Sequence, residues 1–77
     1  MHTVQIHLNS IDKVKAFVNS VNRFNTEFDL VSGRYIIDAK SIMGIFSLDL
    51  SKPMNLNIYN ENADDIMESL EPFLITQ

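Results

Sequence analysis

At 77 residues the chain is near the lower end of what one hydrophobic core stabilises, and 45% hydrophobic with 21% charged residues marks a folded domain rather than a disordered segment. It has no cysteine, which excludes disulfides and thiolate metal ligation; no apolar run approaches the ~20 residues that span a bilayer, and no signal peptide is recognisable, so a cytoplasmic location without membrane association is expected. A net charge of −4 with six scattered basic residues argues against nucleic acid as a partner.

Thr3 to Leu8 alternates polar and apolar side chains, with Val4, Ile6 and Leu8 on one face, the period of a half-buried strand. Asn9 and Ser10 are N-cap residues, and Ile11, Val14, Phe17, Val18, Val21 and Phe24 follow as one helical stripe, predicting a helix from about Ser10 to about Arg23. Segments from Glu27 to Val31 and Arg34 to Asp38 flank Ser32-Gly33, where glycine supplies the positive φ of a hairpin turn. Ser41 then caps a short, greasy helix that reaches to near Leu50, before Pro53.

Met54, Leu56 and Ile58 alternate with Asn55, Asn57 and Tyr59, the clearest strand pattern in the chain. Asn60, Glu61 and Asn62 offer a cap to a third helix, Asp64 and Asp65 complement its dipole, and Ala63, Ile66, Met67 and Leu70 give it an apolar face that Pro72 ends or kinks. The order β-α-β-β-α-β-α, without repeat or linker, predicts one α+β domain over residues 1–77, a sheet with helices on one face and the other face wet. The crossovers between strands one and two and between three and four should be right-handed if those strands run parallel.

The segment Ala39-Lys40-Ser41-Ile42-Met43-Gly44, followed by Ser47-Leu48, resembles the start of the second helix of HPr, the phosphocarrier family of the bacterial sugar phosphotransferase system. The likeness is gapless from Phe24 through Ile58 and extends as pattern over nearly the whole chain. It implies the HPr open-faced β-sandwich, a four-stranded sheet with three helices on one face. In that family a histidine in a Gly-Leu-His-Ala-Arg-Pro-Ala-type loop before helix one carries the phosphoryl group. Here that stretch is Ser10-Ile11-Asp12-Lys13-Val14-Lys15, without histidine or arginine, and Asp12 would repel phosphate. Carrier chemistry and enzymatic activity are therefore not expected. His7 has the parity of the open sheet face, His2 lies near the terminus, and neither has neighbours spaced for a metal site, so no metal or cofactor is expected.

The resemblance leaves Ser41, which in many HPr proteins is phosphorylated by a dedicated kinase. A family member with this pattern of loss acts as a regulator whose serine-phosphorylated form binds a transcription factor. A phosphate at Ser41 would meet a helix N-terminus with Lys40 adjacent. In the family, positions matching Ile42 and Met43 belong to a partner-docking patch, and with Phe46 they form an apolar cluster suited to a protein interface. Two readings of Ser41 stand side by side: a regulatory site, or simply an N-cap worth about 1 kcal/mol. Likewise, Ile45, Leu48 and Leu50 could be core while Ile42, Met43 and Phe46 are edge packing. The expected function is that of a regulatory or adaptor protein, monomer or weak dimer, binding a kinase or regulator through the Ser41 helix. The alternatives are a small-molecule-binding or oligomerising module of the same fold, and a likeness to the carrier from which the chemistry is missing.

Overall fold

A computed structural model describes residues 1–75. Four strands, β1 (His2–Ile6), β2 (Phe28–Ser32), β3 (Tyr35–Asp38) and β4 (Met54–Ile58), form one antiparallel sheet in the order β1-β4-β2-β3. Helices α1 (Ile11–Val21), α2 (Ile42–Phe46) and α3 (Asp64–Leu70) and a 3₁₀ turn (Glu71–Phe73) complete the chain. Since β4 lies antiparallel between β1 and β2, those two run the same way, and so do β3 and β4 on either side of β2. This is the predicted α+β arrangement.

The register explains the two sheet faces. Ile6, Val4 and His2 lie beside Met54, Leu56 and Ile58, and the last two lie beside Leu30 and Phe28. Because paired residues share a face, the large apolar side chains of three strands meet in one layer. Val14, Phe17 and Val21 of α1, Ile45 of α2 and Ile66 and Leu70 of α3 close over it. Phe17 meets Phe73 edge to face at 5.6 Å, joining α1 to the 3₁₀ turn. The opposite rows, such as Thr3, Asn57, Asp29 and Asp38, are polar, and Thr3 donates to Asn57 Oδ1 at 2.9 Å.

Several local expectations change. The first strand stops at Ile6, where the chain turns so that the His7 N–H bonds the Phe73 carbonyl at 3.0 Å, although Leu8 stays fully buried. His7 is therefore half-buried rather than out on the open face, and its Nε2 is enclosed without a partner among the described residues. Ile11 is 61% exposed because it is the first residue of α1, a turn beyond the buried Val14. Phe24 lies after α1 has ended and is only partly buried. Helix α2 ends at Phe46, where Ser47 caps it, and Leu48 and Leu50 pack on the core from the loop instead. No side chain caps α3, whose N-cap is Ala63; the Asn60 side chain accepts the Asn62 N–H in the turn before it. The expected hairpin forms with glycine at positive φ, but its loop lies one residue later than Ser32-Gly33: Ser32 pairs with Tyr35, and Gly33, at φ +60°, takes the first central position of a type II′ turn with Arg34 the second.

The two sheet edges differ. Along β1 the C-terminal segment adds itself: the Ile75 N–H bonds the Gln5 carbonyl at 3.1 Å, and Leu74 bridges Ile6. Along β3, Tyr35 and Ile36 are 69% and 68% exposed.

Candidate functional site

Ser41 has the extended backbone of an N-cap, φ −93° and ψ 100°, and its Oγ accepts the Gly44 N–H at 3.3 Å while its carbonyl accepts the Ile45 N–H at 3.1 Å. The position is set from behind by Asp38, whose carbonyl accepts the Ser41 N–H at 3.0 Å and whose Oδ1 accepts the Lys40 N–H at 2.9 Å. That Asx turn carries the chain from β3 into α2. Gly44 lets the serine fold inward, since a Cβ there would lie 3.2 Å from Ser41 Oγ and 3.3 Å from Ile37 Cδ1.

Of the apolar residues behind Ser41, Ile45 is buried and Ile42 is half-buried against the core. Met43 is 76% exposed and Phe46 38% exposed. The structure thus divides the expected cluster: Ile42 contributes mainly to packing, whereas Met43 and Phe46 face outward. α1 packs beside α2, and its exposed Ile11 adds another apolar side chain to this helical layer. Nothing in the sequence singled Ile11 out, because its spacing matched the buried stripe.

The expectation that Lys40 stands ready beside Ser41 does not hold. Its ammonium donates to the Phe24 carbonyl at 2.8 Å and lies 5.7 Å from the Phe28 ring centroid. A short serine-to-lysine separation in sequence says nothing of where a four-carbon stem places its charge. Helix α2 has no acidic residue in its first turn, so neither a cation nor a carboxylate of α2 dominates the field at Ser41.

At the mouth of α1, Ser10 is the N-cap, its Oγ accepting the Lys13 N–H at 3.1 Å, and Asp12 is exposed in the first turn. The chain's two histidines are elsewhere in sequence and structure: His2 Nε2 lies 3.1 Å from the Glu61 carbonyl oxygen at the start of β1, and His7 Nε2 is enclosed. Among the described residues no group of three or more acidic or imidazole side chains is placed to hold a metal ion. Two surface clefts are open, and each is lined by charged side chains. One of about 340 Å³ is lined by Thr26, Glu27, Asp29, Asp38 and Lys40, and one of about 240 Å³ lies between the hairpin turn and the loop after α2. Among the described residues no helix is long and apolar enough to cross a membrane.

The PTS HPr component phosphorylation site family model matches residues 11–75. Among solved structures the chain is similar to HPr-C-His from Thermoanaerobacter tengcongensis, with a TM-score of 0.78 at 23% identity over 94% of this chain and 89% of that one. It is also similar to the phosphocarrier protein HPr from Bacillus anthracis, with a TM-score of 0.72 at 24% identity over 96% and 94%. At these identities the structural likeness is one of fold. No curated protein matches the chain.

Proposed function

The chain belongs to the PTS HPr family, and on that premise we propose that it works without phosphocarrier activity, as a regulatory or adaptor protein that docks a protein partner through α2, with Ser41 as a phosphorylation site. The observation that carries this reading is the pairing of an exposed Ser41 with the outward-facing Met43 and Phe46 on one short helix. Met adapts to irregular surfaces and Phe anchors them, so the pair suits a protein interface.

Loss of carrier chemistry is supported by the residues at the mouth of α1. By the resemblance Ser10 falls near the place of the family's histidine and Asp12 near that of the arginine, and His7 Nε2 is enclosed without a partner among the described residues. A phosphate on Ser41 would add nearly two negative charges next to Met43. With Lys40 held by Phe24, that charge would remain uncompensated within α2 and available to a basic partner. Phosphorylation in this reading changes which partner binds, not the fold.

The test is incubation with an HPr-type serine kinase and ATP, read by intact mass. One added phosphate that Ser41→Ala abolishes is expected; no added phosphate, or equal labelling of the variant, overturns the switch. With the general phosphotransferase enzyme and phosphoenolpyruvate the chain should stay unlabelled, and a phosphohistidine at His2 or His7 would contradict the loss of carrier function.

A further inference from the structure

We propose that two copies of this chain associate through the outer edges of β3, pairing antiparallel about a two-fold axis at Ile36. The reading is independent of Ser41 and rests on the unequal treatment of the two sheet edges. The β1 edge is covered from Gln5 to His7 by the chain's own residues 73–75, whereas β3 is an outermost strand to which no described residue adds. Natural sheets blunt free edges with charges, lysine above all, with proline, with bulges or by keeping the edge strand short. Tyr35-Ile36-Ile37-Asp38 is short and ends in a charge, but it has no lysine, proline or bulge, and its first two side chains are large, apolar and exposed.

The backbone favours this pairing. The Ala39 N–H bonds the Phe28 carbonyl, so by the alternation of an antiparallel ladder the odd residues of β3 turn their polar groups toward β2. Ile36 and Asp38 then point theirs away from the sheet. A second copy in antiparallel register about Ile36 places outward groups against outward groups, with Ile36 exchanging both its hydrogen bonds with Ile36 of the second copy.

The side chains select the register. Centred on Ile36, the pairing sets isoleucine against isoleucine, Tyr35 against Ile37 of the second copy, and Arg34 against Asp38 of the second copy at both ends. Ile36 and Asp38 share a face by parity, and Arg34, in the turn one residue before β3, is the residue that this register sets opposite Asp38. A centre at Ile37 would instead set Ile36 against Asp38 and leave Arg34 without a carboxylate. The sequence Arg-Tyr-Ile-Ile-Asp is thus complementary to itself when reversed, which is what an isologous contact needs. A strand of four residues buries far less than the roughly 1,200–2,000 Å² of a stable interface, so a weak dimer is expected, dissociating in roughly the high-micromolar range.

Sedimentation of the full chain over a concentration series tests the proposal, with circular dichroism to verify folding of each variant. The wild type should self-associate, and Ile36→Lys and Arg34→Glu should each weaken association by at least about tenfold. Asp38→Lys should do the same, and an equimolar mixture of the Arg34→Glu and Asp38→Lys chains should associate again, since both end pairs are then attractive. A chain that stays monomeric at about 1 mM overturns the proposal. So does a dimer indifferent to Ile36→Lys and Arg34→Glu but abolished by Met43→Lys. Asp38 also accepts the Lys40 N–H, so if Asp38→Lys unfolds the protein, the two other variants decide the matter alone.

Discussion

The ammonium of Lys40 sits 2.8 Å from the carbonyl oxygen of Phe24, tying the entry of α2 to the loop that leaves α1. The two residues are sixteen apart in sequence, and the bond closes the end of the helical layer over Phe28. Phe24 needs such a donor because α1 has already ended at Val21.

Lys40→Met keeps the stem and removes the charge, so it isolates this contact. We expect a loss of about 1–2 kcal/mol, combining a partly buried charge-assisted hydrogen bond with the aromatic contact. The measurement is the urea midpoint; a midpoint equal to wild type would mean that the Phe24 carbonyl is equally well served by water.

The enclosed Nε2 of His7 is a cost that the fold carries without visible return. Replacing His7 with leucine keeps the backbone bond to Phe73 and removes the unpartnered nitrogen, so stability should rise by about 1 kcal/mol. Thermal unfolding would reveal a higher midpoint. A lower one would show that imidazole packing outweighs the cost of the unpartnered nitrogen.

On α2, stability and recognition should separate by residue. Ser41→Ala forfeits the cap to Gly44 and should cost about 0.5–1 kcal/mol, whereas Met43→Ser, on an exposed side chain, should change stability by less than about 0.5 kcal/mol. Ile45→Ala empties a buried site and should cost about 2–5 kcal/mol. Denaturant titration of the three variants orders them; a large loss in Met43→Ser would place that residue in the fold rather than on a docking surface.

In the loop after α2, the Asp49 carboxylate accepts from both the hydroxyl and the N–H of Ser51. Those bonds, the hydroxyl first, favour the charged form, with the Lys52 charge assisting, and hold the carboxyl below the ordinary aspartate range. A depressed carboxyl contributes stability that is present above its unfolded value and is lost as pH falls through the folded one. Ser51→Ala should move the Asp49 titration back upward in an NMR pH series. No movement would assign the depression to the Ser51 N–H and the Lys52 charge instead of the hydroxyl.

The fold was legible wherever one local rule governed. Alternation in β4, the serine caps of α1 and α2 and the glycine of the hairpin turn each depend on neighbours a few residues away, and each appears in the structure. The segment Ala39 to Gly44 likewise pointed to the family that the model match establishes. Reading failed where a distant partner decides the outcome. His7 leaves the strand for a carbonyl at residue 73, and Lys40 turns toward residue 24 instead of the serine beside it. Periodicity could not tell Ile11 from Val14, because only the extent of the sheet below determines which turn of α1 is covered. Within the candidate site, Ser41 was found from its capping chemistry, but the division between inward Ile42 and outward Met43 depends on how α2 meets the core.

The strand order has a consequence for a chain that emerges from the ribosome N-terminus first. β1 is made before the other strands, yet among the described strands it pairs with β4, and part of its outer edge waits for residues 73–75. The hairpin of β2 and β3, by contrast, finds its partner across two residues. Closing loops of that length is rapid, whereas β1 must be held until more than fifty residues have followed, so the hairpin with α2 should condense first. Nascent chains stalled before Met54 should then remain open to protease at residues 2–6 while the hairpin is already protected.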